Sequence, residues 1–135
     1  MQEQAEHMTQ RTYFQLPINA DEGFPQSFRL SFNGNTYQVV LYVNILEDGS
    51  DQPDKGTDNM YTLPKKGAFM VMRVSREDPG GATVIFQRKL VPNCEYKAQE
   101  VAFVFRQMRV ARENLNGIGT FGSAVIGGIA TRWDS

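Results

Sequence analysis

At 135 residues the chain has the size of one domain and is long enough to bury a core without disulfide or metal staples. Its 14 Lys and Arg nearly cancel its 15 Asp and Glu, so the whole-chain charge of −1 creates no strong field towards a polyanion and weighs against nucleic-acid binding. A lone cysteine, Cys94, excludes an internal disulfide and fits a reducing compartment. With His7 the only histidine, there is no zinc set, no Cys-His pair and no Ser-His-Asp triad to propose.

Met1–Arg11 is polar throughout, without the charged start and apolar run of a signal peptide, and no segment reaches the length of a membrane span. Synthesis in a cytoplasm and no membrane anchoring are therefore expected. Residues 1–12, rich in Gln and Glu, read as a flexible arm that orders against a partner, and 13–135 as a single β domain.

Tyr13–Ile18 is a short β-prone run that contains Pro17. Gln26–Phe32 then alternates, with Phe28, Leu30 and Phe32 on one face and Ser27, Arg29 and Ser31 on the other. Asn33-Gly34 follows at once, and Thr36–Val43 alternates again through Tyr37, Val39, Leu41 and Val43. Asn-Gly between alternating runs predicts a hairpin, because both residues accept the positive φ of a type I′ turn.

From Glu47 to Lys66 the chain becomes acidic, with Asp48, Asp51, Asp54 and Asp58 set among Gly49, Pro53 and Gly56. This predicts a long exposed loop, with apolar content for one short strand at Met60–Leu63. The four aspartates do not have the spacing of an EF-hand, so a solvated loop is expected over a Ca²⁺ site.

Ala68–Val74 is almost continuously apolar and reads as a strand buried on both faces. Asp78-Pro79-Gly80-Gly81 is a turn, and Thr83–Leu90 resumes with β-branched and aromatic residues as the second arm of a hairpin. In Val101–Arg112 the alternation of Val101, Phe103 and Phe105 with Ala102, Val104 and Arg106 favours a strand over a short helix.

Gly117–Ala130 places five glycines among Ile118, Phe121, Val125, Ile126 and Ile129, and Trp133 follows. Gly117-x-Gly119-x-x-Gly122 has the spelling of a dinucleotide fingerprint. Only thirteen residues follow Gly122, however, too few for the helix, second strand and acidic residue that the motif requires, so no cofactor is expected. The segment is also too short to span a membrane and lacks flanking basic clusters. Glycines between large apolar residues let a backbone pass close to another surface, within this fold or on a neighbouring subunit; both readings stand.

The order of parts resembles a family of small phage proteins, the baseplate plug proteins of contractile-tailed phages. It runs from a short strand through Phe28-Arg29-Leu30-Ser31-Phe32-Asn33-Gly34-Asn35-Thr36-Tyr37-Gln38-Val39-Val40-Leu41-Tyr42-Val43-Asn44 to Phe69–Val74 and a further hairpin. The resemblance spans roughly residues 13–112 as a pattern, without a catalytic motif, and leaves the loop at Glu47–Lys66 and the segment after Asn116 unmatched. It implies a β-rich structural subunit of the virion that closes the central channel near the tail tip, contacts hub, spike and tube proteins and has no enzyme activity.

The expectation is therefore an all-β protein, a small antiparallel barrel or sandwich, acting in a tail or baseplate as a homo-oligomer. Its subunit interface would be formed by Ile118, Phe121, Val125, Ile126, Ile129 and Trp133. Truncation after Asn116 should then leave a soluble β domain that no longer assembles. Two rivals remain. One is a β-barrel module for single-stranded nucleic acid or another ligand, with Phe103 and Phe105 stacking and Arg106, Arg109, Arg112 and Lys97 meeting phosphate. The other is a carboxylate-dependent hydrolase, for which no acid pair stands out.

Overall fold

The computed structural model describes residues 11–45, 60–112 and 122–133. Nine strands run in chain order: β1 (Phe14–Gln15), β2 (Gln26–Phe32), β3 (Asn35–Ile45), β4 (Met60–Thr62), β5 (Ala68–Asp78), β6 (Gly81–Lys89), β7 (Glu95–Ala98), β8 (Val101–Ala111) and β9 (Ala124–Thr131). A single 3₁₀ turn, Ala20–Glu22, precedes β2. Among the described residues no helix is long and apolar enough to cross a membrane.

The protein is all-β, in two antiparallel sheets that do not close into a barrel. One sheet has the order β2-β3-β5-β6. In the other, β1 pairs with β9 and β9 with β8, whose far side carries β7 at its start and β4 at its end. The predicted first hairpin is present, with Phe32 opposite Asn35 and with Asn33 and Gly34 both at positive φ, the geometry of a two-residue primed turn. Gly80, in the turn between β5 and β6, and Gly81, the first residue of β6, likewise take positive φ.

The sheets pack face to face. Tyr37, Val39 and Leu41 of β3 and Met70, Met72 and Val74 of β5 meet Phe103, Phe105, Met108 and Val110 of β8 in one core. Aromatic contacts close both sides of the sandwich. Phe14 meets Phe32 at 5.8 Å where β1 faces β2, and Phe86 meets Tyr96 at 5.6 Å where β6 faces β7. The burial on both faces expected for Ala68–Val74 holds only in part: the inward Met70, Met72 and Val74 are buried, but of the outward residues only Val71 is, with Phe69 half-buried and Arg73 exposed.

β8 owes its shape to one extra residue. Phe105 pairs with Gly127 and Gln107 with Ile126, which leaves Arg106 without an opposite number as a β-bulge. Before it the odd-numbered Val101, Phe103 and Phe105 face the core. After it the even-numbered Met108 and Val110 do. The alternation read over Val101–Arg106 thus shifts by one residue at the bulge.

Cys94 lies in the turn before β7 and is exposed. The folded protein should therefore take up one equivalent of a maleimide without denaturant. Labelling that appears only after unfolding would contradict this placement of the turn.

Candidate functional site

The outer face of the five-stranded sheet is where the chain departs most from a plain sandwich. Side chains pointing away from the core there include Ala102, Val104 and Ala130, and all three are nonetheless buried. The segment entering β1 lies on that side. A Cβ added to Gly128 would come within 2.9 Å of the Tyr13 Cβ, so Tyr13 packs directly on bare backbone at Gly128.

A polar clasp fixes this segment. Arg11 donates from Nε to the Thr131 carbonyl at 3.0 Å, from Nη2 to the Arg132 carbonyl at 2.6 Å and from Nη1 to Glu95 Oε2 at 2.6 Å. The Tyr13 hydroxyl donates to the same carboxylate oxygen. The side chains of Arg11 and Glu95 are only 8% and 10% exposed, so this is a buried ion pair joining the chain's entry to β7 and to the end of β9. Arg11, assigned by composition to the flexible arm, is firmly anchored; residues 1–10 lie outside the described residues.

Burial by itself would raise the Glu95 carboxyl, but the hydrogen bonds from Tyr13 and Arg11 outweigh it and hold it below the usual range. Burial, and then the bond to Glu95, pushes the Tyr13 phenol well above its ordinary value. A second cluster ties the two sheets together at one end. Tyr37 donates to Glu100 Oε2 at 2.5 Å, Arg76 donates to Glu100 Oε1 at 2.6 Å, and Arg76 also pairs with Asp78. Tyr37 is raised in the same way as Tyr13, by burial first and Glu100 second. Absorbance titration should show Tyr13 and Tyr37 ionising only above the ordinary phenol range, together with loss of structure. Ionisation of Tyr13 and Tyr37 at the ordinary phenol value would exclude both bonds.

Beside the clasp an open pocket of about 150 Å³ is lined by Tyr13, Gln15, Val104, Arg106 and Ile126, with the backbone of Gly127 and Gly128 as its floor. Arg106, carried outward by the bulge, donates to Asn93 Oδ1 at 3.2 Å. Ile126 is 41% exposed at the pocket's rim. Lys97 and Arg109 point to the same side from β7 and from the far end of β8.

The sequence-selected interface residues divide. Val125 and Ile129 are buried in the protein's own core, Ile126 and Trp133 are exposed, and Ile118 and Phe121 lie outside the described residues. Gly127 and Gly128 serve packing within this fold: a Cβ on Gly127 would stand 2.6 Å from the Phe105 ring. β9 sits between β1 and β8, so cutting after Asn116 removes an inner strand and strips the cover from Phe105. The expected soluble truncated domain is not compatible with this position.

The stacking face of the nucleic-acid reading is not formed either, because Phe103 and Phe105 are fully buried between the sheets. Among the described residues no group of three or more His, Cys, Asp or Glu is placed to hold a metal. The aspartates at 48, 51, 54 and 58 lie outside the described residues. Sequence reasoning missed the Arg11–Tyr13–Glu95 clasp, in which Glu95 lies more than eighty positions from both Arg11 and Tyr13.

Comparison with protein-family models, with curated proteins and with solved structures finds no match to this chain.

Proposed function

We propose that this chain is a structural subunit of a phage tail or baseplate, working through protein–protein contact and not through catalysis. The observation that carries the contact role is Ile126, an exposed apolar side chain at the rim of a pocket beside Arg106, although the residue before it, Val125, is buried in the core. Trp133, 64% exposed with the Arg132 guanidinium 5.5 Å from its ring, adds a second exposed anchor. The two perturbed acid-tyrosine clusters hold strands together, which is a structural use of those groups.

The placement in a tail rests on the resemblance of residues 13–112 to baseplate plug proteins. On this reading the partners are hub, spike and tube proteins and further copies of the chain, the protein is made in the bacterial cytoplasm, and it ends in the virion. Immunogold labelling of negatively stained particles with an antibody to the purified protein tests it. Label at the tail end is expected. Its absence from both intact and disrupted particles would remove the tail assignment. Ile126→Ser and Trp133→Ala, at exposed positions, replace truncation as the assembly-defective variants.

A further inference from the structure

The whole-chain charge of −1 conceals a strong segregation. The described residues carry thirteen Lys and Arg but only six acids, namely Asp21, Glu22, Glu77, Asp78, Glu95 and Glu100, a balance of +7. The compensating acids lie in the segments outside them, above all Glu47, Asp48, Asp51, Asp54 and Asp58.

The acids within the sandwich are also largely used. Glu95 pairs with Arg11, Glu100 and Asp78 with Arg76, and Glu77 with Arg29. Lys97, Arg106 and Arg109, all on the outer face of the five-stranded sheet, form no salt bridge with another described residue. The one carboxylate on that face near them, Glu95, has its Oε2 engaged by Arg11 and Tyr13, while its buried Oε1 has no hydrogen-bond partner among the described residues and the Lys97 charge also acts on it.

Two of these cations, Arg106 and Arg109, lie on β8 and the third, Lys97, on the neighbouring β7. Lys97 stands beside Ala102, Arg106 sits at the bulge, and Arg109 lies opposite Ala124. From Ala102 to Arg109 an extended strand covers about 23 Å, and Tyr13, reaching from Gly128 to Glu95, crosses it at the buried Val104, so a peptide of roughly seven residues that met all three cations would pass over the Tyr13 ring and not lie on bare strand. In the middle of this line is the pocket between Val104 and Ile126, sized for one apolar side chain.

The geometry points to an acidic peptide segment of a partner protein as the occupant of this face. One of its apolar side chains enters the pocket, and its carboxylates meet Lys97, Arg106 and Arg109. A nucleic acid fits less well, because Phe103 and Phe105, the aromatics of this strand, are buried and offer bases no stacking platform. This inference extends the assembly reading by naming the partner's chemistry. Peptide binding and particle labelling are separate measurements, so either can fail alone.

The test is fluorescence anisotropy of the full-length chain at low ionic strength with a labelled peptide, Gly-Glu-Glu-Leu-Glu-Glu-Gly. The same peptide with Ser for Leu and an oligothymidylate serve as comparisons. Binding of the Leu peptide is expected to weaken with added salt, about tenfold on Arg106→Gln and about fivefold on Ile126→Ser. The Ser peptide should bind more weakly, and Arg73→Gln, on the outer face of the opposite sheet, should change nothing. All these side chains are exposed, and circular dichroism of each variant confirms that it is folded. No binding at low salt, or binding that ignores both Arg106→Gln and Ile126→Ser, would overturn the inference. Tighter, Arg106-dependent binding of the oligothymidylate would overturn it in favour of a nucleic-acid face.

Discussion

Gly127→Ala is expected to destabilise the sandwich by about 2 kcal/mol, read from the shift in the urea unfolding midpoint. The glycine is the direct partner of Phe105 across β8 and β9, and the ring lies over its Cα. A methyl group there would stand 2.6 Å from the nearest ring carbon, well inside contact distance. Phe105 is fully buried among the residues of both sheets, so for the ring to yield it must displace core neighbours. The cause is testable by a double-mutant cycle. Phe105→Leu alone opens a void, whereas with Gly127→Ala the two changes compensate, and the coupling should be about 1 kcal/mol or more. Additive effects would mean that the clash is not with Phe105.

Glu95→Ala is expected to cost more, about 3 kcal/mol, because it strands the Arg11 guanidinium in a buried site with only two carbonyls to accept from it. The same clasp predicts a pH profile. The folded Glu95 carboxyl lies below its ordinary 4.5, so its stabilisation is present above that value and is lost as pH falls through the folded pKa. The Tyr13 phenol lies above its ordinary 10.0, so its contribution is complete below that value and is lost as pH rises through the raised pKa. The stability difference between the wild-type chain and Glu95→Ala should therefore be level from about pH 5 to 9 and shrink at both ends. A difference that stays constant into strong acid would show that the contact is not ionic.

Much of the sandwich is legible in the sequence where local chemistry and burial agree. Asn33-Gly34 and Asp78-Pro79-Gly80-Gly81 set the two hairpins, and the alternation in Gln26–Phe32 and Thr36–Val43 sorts core from surface before any contact is known. β9 is harder to read because Gly127 and Gly128 lower strand propensity. They are there for the Phe105 ring on one face and for Tyr13 on the other, long-range partners that no local window contains. β7, four residues long, has only Tyr96 and Ala98 to mark its inner face.

The candidate face was hidden for a different reason. Composition sums over the chain, and the acids of Glu47–Asp58 cancel cations that the fold gathers elsewhere. Charge argued against a polyanionic partner only as long as it was averaged. The Arg11–Tyr13–Glu95 clasp was equally out of reach, since a buried ion pair leaves no periodic trace.

The bulge in β8 separates two kinds of constraint that usually coincide. The core demands that a residue stand between Phe105 and Gln107, since deleting it would turn Met108 and Val110 towards solvent. It makes no demand on what that residue is, because the Arg106 side chain points outward. Position 106 is thus obligatory in length but free in identity, and sequence drift there can retune what the face binds without passing through an unfolded ancestor.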